Sequence, residues 1–114
     1  MKKKTLRDLK LKKDNTVIPA GTVCDIEFKV CEEGTELPSG KIAEFTHPYM
    51  SVTLPNGTVI RTKHYSAFFT APSVNVMEKW NEDGVAKTVT GHRTEPDGYG
   101  PDGSPSWLLA LGII

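Results

Sequence analysis

Little in this chain announces chemistry. Cysteine is scarce: 114 residues hold only Cys24 and Cys31. That is too few for a disulfide framework and suits a reducing cytoplasm. The three histidines, His47, His64 and His92, are scattered. No C-x₂-C or H-x₃-H pair accompanies them, so no metal ligand is assigned. Formal net charge is zero, which removes any global attraction to nucleic acid or membrane. No apolar run approaches the ~18 residues of a membrane-spanning helix. Met1-Lys2-Lys3-Lys4 lacks the apolar stretch that a signal peptide carries after its basic start, so secretion is not expected. The sequon Asn56-Gly57-Thr58 then reads as a turn. There is no G-x-S-x-G elbow, no phosphate-cradling glycine loop and no dinucleotide fingerprint. The chain therefore reads as a non-enzyme, with no catalytic residue and no cofactor.

What is present is ordinary for one globular domain over 1–114: 38% apolar and 25% charged residues. The charge is unevenly placed. Residues 1–13 hold Lys2, Lys3, Lys4, Arg7, Lys10, Lys12 and Lys13 against Asp8, so the segment carries +6 and the remainder −6. One reading is a solubilising, frayed terminus. The other is a basic edge touching phosphates through Lys2, Lys3, Lys4 and Arg7, joined by Arg61 and Lys63.

Residues 5–64 read as the β-rich half. In 16–31, Pro19-Ala20-Gly21 breaks the run into a strand pair. Cys24, Ile26, Phe28 and Val30 then alternate with Asp25, Glu27, Lys29 and Cys31, which predicts one buried and one wet face. Cys24 falls inside and Cys31 outside, so two free thiols are expected. Glu32 to Gly40 is a loop by composition, and Lys41 to Thr46 a third strand candidate with Ala43 and Phe45 on one face. Pro55-Asn56-Gly57 separates two short β runs. A type I′ two-residue turn there pairs Leu54 with Val59 and Val52 with Arg61. Short strands and tight turns of this kind predict a small antiparallel sheet or an SH3-like barrel, and Val17 to Thr22 resembles the opening of such barrels.

Residues 73–114 change period. Asn75 with Glu78 resembles a capping box, Val76, Met77 and Trp80 share a helical face, and Gly84 suits a helix end, which predicts a helix at 75–83. A hairpin over Val85–Thr94 follows, with Gly91 at its middle. Glu95, Asp97 and Asp102 sit in two Pro-Asp-Gly turns, whose composition is that of type I turns and does not match a calcium loop. Ser104 and Pro105 read as the start of a last helix covering Trp107 to Leu111 and stopped by Gly112. The apolar ending requires burial, in this chain's core or against another molecule. Tyr65, Phe68, Phe69, Trp80, Tyr99 and Trp107 read as packing aromatics more than a base-stacking platform, with Arg61, Lys63 and His64 the cations near Tyr65.

Met77-Glu78-Lys79-Trp80, Asp83 to Val89, Glu95-Pro96-Asp97-Gly98 and Gly103 to Gly112 together resemble a recurring ending of small proteins from tailed bacteriophages and prophages. That resemblance implies a phage origin and expression in a bacterial cytoplasm, and it implies no particular activity. Glu78-Lys79-Trp80 to Gly84 with the hairpin also resembles the second half of excisionase-type winged helices. That likeness would turn Lys79, Lys87, His92 and Arg93 toward phosphates. The expectation is an α+β domain with a helix–hairpin–helix ending folded over the β half, locked by Met77, Trp80, Trp107, Leu108 and Leu111. Its role is binding and modulating a host protein, with Asp97, Tyr99, Asp102 and Trp107 as a partner surface. The alternatives are a nucleic-acid accessory role and oligomerisation through the apolar C-terminus.

Overall fold

The computed structural model describes residues 1–11 and 15–113; Lys12, Lys13 and Ile114, which figured in the basic start and the apolar end, lie outside the described residues. Its elements in order are β1 Lys2–Lys4, β2 Leu9–Lys10, β3 Val17–Ile18, β4 Val23–Cys31, β5 His47–Thr53 and β6 Val59–Thr62. A 3₁₀ turn at Tyr65–Ala67, α1 Val74–Asp83, β7 Ala86–Lys87, β8 Arg93–Thr94 and α2 Trp107–Ala110 follow. The architecture is a small antiparallel sheet with few helices. β1, β4, β5 and β6 form the sheet in that order, and β2–β3 and β7–β8 are separate two-stranded pairs.

The longest pairing is β4 with β5, from Asp25 opposite Thr53 to Cys31 opposite His47. Period-two alternation sends Cys24, Ile26, Met50 and Val52 to one face, where all four are buried. Onto that face pack Tyr65, Ala67, Phe68 and Phe69 from the 3₁₀ turn and its exit, Met77 from α1, and Trp107 and Leu108 from α2. One core therefore draws on both halves of the sequence.

Pro48 lies inside β5 without breaking it. Pairing with β6 ends at Met50 opposite Thr62, so the missing N–H of Pro48 faces a stretch with no neighbour to serve. The strand candidate Lys41–Thr46 is a loop instead. It makes a single bridge, Ile42 to Glu36, and leaves Phe45 exposed while Ala43 is buried. Both thiols are free, but Cys31 is buried rather than wet. It ends β4 where the 32–46 loop returns, with Gly34 N–H donating to the Ala43 carbonyl and Glu33 N–H to Thr46 Oγ1. Val30, expected inside, is exposed.

The helix begins one residue earlier than its spacing suggested. Ser73, not Asn75, is the cap, accepting from Val76 N–H, and Gly84 closes the other end at φ 70°. Val76 is exposed, leaving Met77 as the buried anchor and Trp80 half-buried. The helix–hairpin–helix ending is corrected to one full helix, a strand pair of two residues each, and a single helical turn. That turn is capped by Ser106, because Pro105 is held in a bridge to Tyr99. Leu111 and Ile113 are exposed, so the halves are joined by Met77, Trp107 and Leu108 and not by Leu111.

Trp107→Ala should cost about 3–5 kcal/mol, as buried tryptophan truncations do, and lower the melting temperature by roughly 10–20 °C. Leu111→Ala should move it by no more than about 2 °C. Thermal unfolding of both variants followed by circular dichroism checks this.

Candidate functional site

The hairpin before β6 sets up the principal surface. Pro55 holds φ near −65°, which suits the first position of a type I turn. Asn56 keeps a negative φ, and only Gly57 enters the left-handed region, at 88°. The loop therefore has three residues, closed by Leu54 N–H to the Thr58 carbonyl (2.8 Å) and Gly57 N–H to the Leu54 carbonyl (2.9 Å). The expected register is corrected by one residue: Thr53 faces Val59, Val52 faces Ile60 and Ser51 faces Arg61. A one-residue slip exchanges the faces of a strand. Val59, 60% exposed, and Arg61 thus stand outside, and the Arg61 guanidinium lies 4.0 Å from the Tyr49 ring centroid.

The ladder fixes main-chain groups too. Leu54 and Thr58 are a hydrogen-bonded pair, so alternation makes Val52–Ile60 and Met50–Thr62 the next such pairs. The N–H and C=O groups of Val59 and Arg61 then point away from β5. Among the described residues no strand occupies that side.

A groove of about 1070 Å³ runs along this edge. Every residue from Thr58 to His64 lines it, although successive residues point to opposite faces. Leu9, Lys10 and Leu11, residues of the 37–45 loop, and His47 and Tyr49 of β5 line it as well, so it follows the β6 edge and reaches over the outer face of the sheet. Ile42, Phe45 and Val59 are its exposed apolar side chains. Among the described residues, Lys10, Lys41, Arg61 and Lys63 also line it, with one carboxylate, Glu44. Among the described residues none of these four cations has a carboxylate within ion-pair distance. The Phe45 ring meets His47 edge-on at 5.7 Å.

The sequence-selected residues fall in several places. Arg61 and Lys63 line the groove; Lys2, Lys3, Lys4 and Arg7 do not. The first three are β1, at the far side of the sheet from β6. Lys2 pairs with Asp25 at 3.8 Å, and Lys3 lies 5.1 Å from the Phe69 ring centroid. The terminus is therefore an ordered strand and not frayed. The N-terminal ammonium, 2.9 Å from Asp25, holds that carboxyl below its usual value. Of the four residues chosen as a partner surface, Trp107 is corrected outright: at 4% exposure it belongs to the core. Asp97 and Tyr99 are exposed. Lys79 and Arg93 line a smaller hollow beside Trp80 and Asp83, and Lys87 lies opposite Arg93 in the β7–β8 pair. Lys10, Lys41 and Phe45 escaped the sequence reading because the groove joins three segments far apart in the chain. Period two from His47 to Thr53, masked by Pro48, was the one local signal for Tyr49.

Asp102 holds its own neighbourhood. It accepts from Ser104 N–H (3.1 Å), from the Ser104 hydroxyl and from Thr90 Oγ1 (2.7 Å), and His92 Nε2 lies 3.7 Å away. Burial pushes its carboxyl up, but the Ser104 and Thr90 hydrogen bonds, with His92 beside them, outweigh this and leave it below the ordinary value. Ser104 is fully buried and bonded to a carboxylate rather than to a base. The cluster is a clip joining the 88–92 loop to the second Pro-Asp-Gly turn, not a nucleophile arrangement. Among the described residues no three His, Cys, Asp or Glu side chains gather as metal ligands, and no helix is long and apolar enough to cross a membrane. No family model, curated protein or solved structure matches the chain.

Asp102→Asn keeps the side chain's shape and removes its charge. It should cost about 1–2 kcal/mol at neutral pH, where charge-assisted hydrogen bonds are intact. Because the native carboxyl titrates below the ordinary 3.8, its contribution is full above that value and drains as pH falls through the lowered one. Urea unfolding should show the gap between wild type and variant at pH 7 and a smaller gap as pH falls toward about 3.

Proposed function

We propose that this is a non-enzymatic binding protein that engages another protein through the groove along β6. The observation that carries this reading is the edge itself: exposed Ile42, Phe45 and Val59 beside four cations that have no carboxylate partner among the described residues. Apolar centres rimmed by charge are the composition of protein-recognition surfaces. The C-terminal resemblance to phage proteins extends the reading: the partner is a host protein of the bacterial cytoplasm, and its occupation modulates the host.

A nucleic-acid role draws on Arg61 and Lys63 in the same groove. It is second, because Arg61 already covers the Tyr49 ring and two of the three exposed apolar side chains are aliphatic. Base stacking needs free aromatic faces. The exposed Leu111 and Ile113 favour self-association only weakly, being two residues at the chain's end.

Tagged protein recovered from nuclease-treated bacterial lysate should carry a stoichiometric host protein. The double variant Phe45→Ser, Val59→Asp should lose it, both side chains being exposed and removable without unfolding. Lys2→Ala with Lys4→Ala should retain it. Recovery that disappears with nuclease, or that survives the groove variant, overturns the reading.

A further inference from the structure

We propose that the segment bound in this groove is an extended acidic stretch of the partner, added to β6 as a further strand. The inference rests on the protein-binding reading above and names the chemistry of what is bound. Three observations lead to it. First, the main-chain groups of Val59 and Arg61 face away from β5, and among the described residues no strand receives them. A row of unpaired N–H and C=O groups is a template that an extended peptide completes. Second, two runs of consecutive residues, Thr58 to His64 and Leu9 to Leu11, line the groove. That geometry suits an inserted chain lying in the plane of the strands. Third, among the described residues Lys10, Lys41, Arg61 and Lys63 line the groove with one carboxylate, Glu44, so the matching segment carries negative charge. An added strand alternates its side chains. Val59, Arg61 and Lys63 share the outer face of β6, so the set on that face carries the carboxylates, and the alternate set, beside Ile60, is apolar.

A nucleic acid satisfies the third observation and neither of the first two, since it has no main chain that repeats the strand ladder.

The test uses the full chain, labelled with ¹⁵N, and three probes. These are a blocked decapeptide alternating valine and glutamate, its valine–lysine counterpart, and a thymidine decanucleotide. Amide exchange is read at Val59 and Arg61. The acidic peptide should slow exchange at both amides, and raising the salt should weaken its binding; the lysine peptide should do neither. Val59→Pro removes a donor that β6 does not use within its own sheet, and should weaken the acidic peptide about fivefold, the worth of one ladder hydrogen bond. N-methylation of alternate peptide nitrogens should weaken it at least as much, with no change to the protein. Equal binding of the lysine peptide overturns the proposal. So does binding that leaves both amides unprotected, or stronger binding of the decanucleotide. If the host protein captured above depends on Phe45 and Val59 while these amides stay unprotected in that complex, strand addition is wrong and the protein-binding reading stands. If capture is also independent of Phe45 and Val59, both fall.

Discussion

Everything else in this molecule hangs on the pairing of β4 with β5. Ile26 facing Val52 fixes which side chains of both strands enter the core. Two-residue periodicity gives no intermediate choice, because a slip of one residue would turn one strand's inward pair, Cys24 and Ile26 or Met50 and Val52, outward while the other stayed inside. Burying those four side chains is worth several kcal/mol, at roughly 1.5–3 each for residues of this size, so the register is strongly held. Once it is set, β1 can attach only on the outer side of β4 and β6 only on the outer side of β5. The face that remains is the floor on which Phe68, Met77, Trp107 and Leu108 settle.

A four-stranded open sheet leaves two edges, and the chain treats them differently. β1 is three lysines in a row, with Lys2 drawn to Asp25 and Lys3 laid over Phe69. Lysine on an edge strand is a standard obstacle to pairing with another chain. The lysine run is thereby accounted for without invoking a phosphate. β6 is blocked less completely. Val59 and Ile60 lie within it, its neighbours Ile42 and Phe45 are exposed, and the wall formed by Leu9–Leu11 leaves a groove along it.

The sequence disclosed elements whose cause is local and missed those whose cause is not. The alternation from Cys24 to Phe28, the left-handed glycine at Gly84 and the existence of both hairpins are local, and each is present. The hairpin register was misread because Asn-Gly normally drives a two-residue turn, while Pro55 one position earlier imposes a φ that forces a third loop residue. Trp107 was placed on a surface and in the core by two lines of reasoning. Only the packing of α2 against β5 and β7 decides between them, and no spacing encodes it. The groove was invisible for the same reason: Lys10 of β2, Lys41 of the 37–45 loop and Arg61 of β6 are brought together by tertiary packing alone. Ser104, read as a helix start by composition, and Ser106 are fully buried and hydrogen-bond into the two Pro-Asp-Gly turns, at Asp102 and at the Pro96 carbonyl. Their hydroxyls do inside the fold what apolar side chains do elsewhere, because each has a partner.

The edge chemistry of β6 also bears on whether two copies of this chain would pair through it. Two copies of β6 meeting antiparallel would bring Arg61 and Lys63 of each toward the same residues of the other, with Lys10 and Lys41 alongside. Like charges opposed across a strand pair are destabilising, and among the described residues only Glu44 lines the groove to offset them. A strand bearing carboxylates would meet the same main-chain groups with the sign reversed. On the proposed reading the cations act twice: they discourage homotypic pairing and they favour a partner of opposite charge. Removing them would not simply weaken recognition. It would leave an exposed, partly apolar edge open to any extended chain, including its own copies.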